Sequence, residues 1–143
     1  MTRRKWAIAI AALLGAMLVL SVMGQGSHVL SANLYGDEVV SRDGAPDAAS
    51  GDFNGLADAG EGMLCYYLEA QGIDAVTEAH VHQGKRGKDG RAVIALHMAV
   101  DDELCEPVEA GLLERITQDP NSYYVDLHTA RYPRGALRGQ LQG

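Results

Sequence analysis

Short stretches of alternating apolar and polar residues, broken repeatedly by glycine, aspartate and asparagine, constrain this chain most, because that punctuation leaves room for strands and little for helices. With 17 glycines in 143 residues, the breaks recur along the whole chain after the N-terminal apolar segment. Strands are predicted at His28–Tyr35, Ala49–Leu56, Gly62–Ala70, Val76–His82, Arg91–Met98, Ser122–Thr129 and Ala136–Leu141. Seven short strands at this spacing predict an all-β fold, an immunoglobulin-like or Greek-key β-sandwich or barrel. One segment departs from the pattern. In Glu106–Gln118, Pro107 suits a first helical turn and Val108, Leu112, Leu113 and Ile116 share a face, so one short helix is predicted, ended by Asp119-Pro120. The Gly36–Ala49 segment, rich in Asp, Gly, Ser and Pro, reads as a mobile loop.

The N-terminus carries a different signal. Arg3, Arg4 and Lys5 precede an uncharged apolar run from Trp6 to Gly24. This is the plan of a secretory signal helix over residues 1–26, with a single domain over 27–143. The run also reaches the lower limit of a spanning helix, about 17 residues, so an uncleaved N-terminal anchor is the alternative, and the membrane is a partner only in that case. A secreted or periplasmic location follows from the signal. Lys and Arg number 12 against 19 Asp and Glu, a formal charge of -7, and three of the basic residues lie within the signal. The body is therefore strongly acidic, which excludes nucleic-acid binding through a general electrostatic footprint. Export makes the two cysteines, Cys65 and Cys105, a disulfide pair. Closing a loop of about 40 residues restricts the unfolded chain by up to roughly 4 kcal/mol.

Candidate chemistry lies in two strands. In Ala79-His80-Val81-His82-Gln83-Gly84 the two histidines are two residues apart on a strand, so they point the same way about 6.6–7 Å apart at the backbone. Imidazole nitrogens bind zinc at about 2.0–2.1 Å and serve copper as well. In Tyr123–Thr129 the apolar Tyr123, Val125 and Leu127 take one face and leave Tyr124, Asp126 and His128 on the other. If the two strands lie side by side with matching faces, His80, His82 and His128 converge on one ion with an open position. Asp126 then serves as an acceptor fixing a tautomer, and Tyr124 shares its face. Arg138 pairs with one of the many carboxylates, and Gln140 shares its strand face. His97 and His28 are read as structural, and Lys85–Arg91 as a solvated basic turn. No serine stands in a Gly-x-Ser-x-Gly context and no phosphate-cradling loop is present, so hydrolase and nucleotide chemistry are disfavoured.

Several of these motifs occur together in a familiar order. Gly62–Tyr67 with its cysteine, His80-Val81-His82-Gln83-Gly84 with Asp89-Gly90, Cys105, Pro120-x-x-Tyr123 through Thr129, and Tyr132-Pro133-x-Gly135-x-x-Arg138-Gly139-Gln140-Leu141 resemble the CHRD domain, the module named after chordin. The resemblance covers roughly residues 30 to 141. It implies an extracytoplasmic immunoglobulin-like or Greek-key β domain and, by kinship with chordin, a binding role toward an extracellular protein partner. Two departures stand out. The family tends to have Asn where Asp126 stands, so a carboxylate is added beside His128, and Glu38-Val39-Val40 replaces a Glu-Val-Pro. The His-x-His strand with a distant histidine also looks like the copper side of copper–zinc superoxide dismutases, an analogy of site and architecture. The expectation is an exported binding module holding copper or zinc through three histidines. The alternatives are a protein-interaction module with structural histidines, or a copper-dependent dismutase-like redox enzyme.

Overall fold

The computed structural model describes residues 26–143; the expected N-terminal signal helix lies outside them. Eight strands form one antiparallel sheet: β1 (His28–Tyr35), β2 (Ser50–Asp58), β3 (Met63–Gln71), β4 (Val76–Gln83), β5 (Arg91–Leu96), β6 (Ala99–Pro107), β7 (Tyr123–Thr129) and β8 (Leu137–Gln140), with one helix, α1 (Ala110–Gln118), between β6 and β7. The order across the sheet is β5-β4-β7-β8-β1-β2-β3-β6. Among the described residues no helix is long and apolar enough to cross a membrane.

The connections force this sheet to curl. β5 and β6 are its two edges, yet only His97 and Met98 separate them in sequence. Laid flat, eight strands would put the edges about 34 Å apart, whereas a two-residue link spans about 10 Å. The β3–β4 link imposes the same closure, since those strands also lie in opposite halves of the order. The result is a half-barrel, the barrel form of the expected all-β fold. Its two halves meet where β8 passes β1, through the pairs Tyr35–Arg138 and Ser31–Gln142. Gly139 allows that approach: a Cβ there would sit 2.2 Å from the Asn33 carbonyl oxygen.

Period-two alternation supplies the core. Leu30, Ala32 and Leu34 point inward from β1, Leu64, Tyr66 and Leu68 from β3, Ala79 and Val81 from β4, and Val125 and Leu127 from β7, with Leu113 and Ile116 of α1 packed among them. Cys65 and Cys105 are directly paired across β3 and β6 and form the expected disulfide on the outer side of the sheet.

Three expectations are corrected. Ala99–Pro107 is a strand that sequence reading missed, because only Ala99 of its nine residues is buried and its charges give no inward row. Pro107 accordingly ends β6 instead of opening the helix, a position open to proline on an edge strand. The helix begins after Glu109, whose carboxylate accepts from the Gly111 and Leu112 N–H groups at 2.8 and 2.7 Å. The Gly36–Ala49 segment lacks strand and helix, as expected, but it is pinned: Val39, Ala45 and Ala49 are buried, and the Ala45 N–H donates to the Ala136 carbonyl at 2.8 Å.

Candidate metal site

β4 and β7 are neighbours, and their register decides the site. His80 stands opposite Asp126, Glu78 opposite His128 and His82 opposite Tyr124. With Ala79, Val81, Val125 and Leu127 committed to the core, the intervening residues face the other way. β7 is nearly buried throughout, because that second face is roofed as well. The roof is the Gly84–Gly90 turn between β4 and β5. Arg138 of β8 donates to the Lys85 and Lys88 carbonyls at 3.0 and 2.9 Å, and Gln140 donates to the Gly84 carbonyl at 2.7 Å. The basic turn is therefore held by its backbone. The nearest carboxylate to Arg138, that of Asp89, lies at 3.5 Å, so the expected ion pair is secondary to two carbonyl bonds.

Beside this roof, which covers His82, the rings of His80, His82 and His128 converge, and Asp126 stands among them. One ligand atom from each of the four residues lies within 4.8 Å of every other. Asp126 Oδ1 is 3.1 Å from His82 Nε2 and 3.6 Å from His80 Nδ1, while Oδ2 is 3.0 Å from His128 Nε2. A tetrahedral ion about 2.0–2.1 Å from its donors sets them about 3.3–3.4 Å apart, near the distances from the two Asp126 oxygens to the three rings and tighter than the 4.8 Å that bounds the full set. The expected three-histidine set with an open position thus becomes a four-donor set, and Asp126 moves from supporting acceptor to candidate ligand. The sequence held the clue, since Asp126-x-His128 repeats the His80-x-His82 spacing on a facing strand.

The far sides of two rings are fixed. His82 Nδ1 lies 2.8 Å from the Gly90 carbonyl and His128 Nδ1 lies 3.1 Å from the Pro133 carbonyl. A carbonyl only accepts, so each Nδ1 carries a proton and donates it. Both Nε2 atoms are left facing a carboxylate that also only accepts. Lone pairs turned on a carboxylate require a cation between them, either protons or a metal ion. His80 Nδ1, His82 Nε2 and Asp126 Oδ1 are buried there without a hydrogen-bond partner, a costly arrangement unless a ligand completes it.

The electrostatics follow. Burial opposes the charge on Asp126, but His128 and His82 outweigh it and hold the carboxyl at about 2, below its ordinary 3.8. The hydrogen bond to Asp126 raises His128 above the ordinary 6.5 against the effect of burial. Burial likewise opposes charge on His82, and Asp126 with the Gly90 carbonyl reverses it, so this ring is also raised. Tyr124 stacks on His82 with centroids 4.8 Å apart, and the Arg138 guanidinium lies 3.5 Å above the Tyr124 ring. Tyr124 and Arg138 therefore act on the site by buttressing His82. The two supporting carbonyls carry no sequence signature.

The other histidines lie elsewhere. His97 is exposed, with Nδ1 2.9 Å from Glu106 Oε1, and His28 opens β1. Tyr66 points inward and Tyr67 outward, whereas Tyr123 and Tyr124 are both buried, one in the core and one under the roof.

The family model described as CHRD domain matches residues 30–141. No curated protein and no solved structure matches the chain.

Proposed function

The chain belongs to the CHRD domain family, and from that premise we propose that it is an exported binding module holding one divalent transition-metal ion through His80, His82, His128 and Asp126. One observation carries the reading. Two imidazoles already committed as donors at Nδ1 turn their Nε2 atoms on one buried carboxylate, and three of the converging atoms have no hydrogen-bond partner. Backbone carbonyls behind ligating histidines are the usual way a protein fixes ring orientation and tautomer for a metal.

The donor chemistry narrows the ion. Three imidazoles and a carboxylate suit zinc or copper(II), and no thiolate favours copper(I), since both cysteines are in the disulfide. An ion bound here ties β4 to β7 and neutralises a buried carboxylate. Export agrees with the disulfide and with the uncharged run from Trp6 to Gly24. The test is calorimetric titration of protein stripped with a chelator and then supplied with zinc or copper(II). One equivalent is expected, with affinity at least about 10-fold weaker in His82→Ala and in His128→Ala. Absence of uptake, or unchanged affinity in both variants, overturns the proposal.

A further inference from the structure

The four donors are not held alike. His82 is clamped between the Gly90 carbonyl and the Tyr124 ring, and His128 is backed by the Pro133 carbonyl. Among the described residues no such carbonyl stands behind His80. Its Nδ1 is also farther from Asp126 than the nearest nitrogen of either other ring, 3.6 Å against 3.1 and 3.0 Å. Its side chain is the most open of the three, 23% exposed compared with 14% and 16%.

The neighbourhood of His80 is correspondingly bare. On one side it pairs with Asp126 and on the other with Ala95 of β5, which is exposed on the same face. β5 is the last strand of the sheet, so beyond a single methyl group the edge opens to solvent. The Gly84–Gly90 roof covers the His82 and Tyr124 side instead, where Gly90 meets both residues.

We propose that His80 is the exchangeable ligand of the centre, and that an external imidazole-type nitrogen donor approaches over Ala95 to take its place and carry the metal away. His82, His128 and Asp126 form the fixed part that retains the ion while one ligand is replaced. This makes the domain a carrier that can pass its ion to an acceptor, and it rests on the metal reading above. Each step is a ligand exchange that needs no oxidant or reductant: the metal–His80 bond breaks as the bond to the incoming nitrogen forms, and the bonds to His82, His128 and Asp126 break in turn as further donors of the acceptor replace them.

The experiment uses the zinc-loaded protein and two probes, free imidazole and a chromophoric pyridyl chelator. In His80→Ala, one equivalent of zinc is still bound, millimolar imidazole restores at least 10-fold of the lost affinity, and transfer to the chelator is at least 10-fold faster than in the unaltered protein. In His82→Ala and His128→Ala imidazole restores nothing, because those positions are closed off by Tyr124 and by the Pro133 turn. Ala95→Leu, which leaves every ligand in place, slows transfer at least 5-fold with zinc affinity unchanged. Equal imidazole rescue at all three histidines, or a transfer rate indifferent to Ala95→Leu, overturns the assignment of His80 while leaving metal binding intact. An unaltered protein that takes up no zinc or copper(II) overturns the metal reading and this inference with it.

Discussion

Asp126→Asn isolates the charge at the centre of the site while preserving its shape. In the folded protein the carboxyl titrates at about 2, compared with an ordinary 3.8. A gap of nearly two pH units, at about 1.4 kcal/mol per unit, corresponds to about 2 kcal/mol of folding stability. Little is lost to solvent screening, because the side chain is only 10% exposed. A depressed carboxyl contributes its stability above the unfolded value and loses it as pH falls through about 2. The raised histidines behave oppositely: their contribution is complete below 6.5 and is lost as pH rises through their higher folded values. Both are the same interaction seen from its two ends, so the effects define a window and are not summed. For metal-free protein with its disulfide intact, unaltered protein should exceed Asp126→Asn in stability by about 2 kcal/mol between roughly pH 4 and 6.5. The difference should shrink toward pH 2 and again at alkaline pH. Urea unfolding at a series of pH values with a chelator present measures it. A difference that is flat with pH, or an Asn variant that is the more stable at pH 5, would refute the account of Asp126 as a carboxylate held by two imidazoles.

Other outcomes follow from the same geometry. Arg138→Met strips the Lys85 and Lys88 carbonyls of their donor and removes the cation over Tyr124; urea unfolding should show a loss of about 2–4 kcal/mol, and an unchanged midpoint would contradict the buttressing role. Replacing Cys65 and Cys105 together by alanine should cost up to about 4 kcal/mol yet leave zinc affinity within about 2-fold, because the disulfide joins β3 to β6 in the other half of the sheet; calorimetry and urea unfolding separate the two effects. Gly139→Ala puts a methyl group against the Asn33 carbonyl where β8 crosses β1, and a destabilisation of about 2 kcal/mol or more is expected in the same assay; tolerance of alanine would mean that the two halves can part there without cost.

The sequence by itself determined which side chains share a face. Alternation in Tyr123–Thr129 assigned Val125 and Leu127 to the core and Asp126 and His128 to the opposite side, and the His80-x-His82 spacing did the same on β4. Those are local consequences of a two-residue repeat, so they need no knowledge of the fold. The disulfide followed from having two cysteines behind an expected export signal. β6 escaped because an exposed edge strand has no buried row to announce it.

Only the tertiary structure decided that β4 and β7, some forty residues apart in the chain, lie side by side with His80 opposite Asp126. A slip of one residue would have turned one row of ligands into the core. Pairing between distant strands is set by the closure of the whole core, to which every strand contributes, and no local pattern encodes it. The Gly90 and Pro133 carbonyls that aim two of the rings were equally invisible, because every residue carries the same carbonyl and only its place in the folded chain distinguishes it.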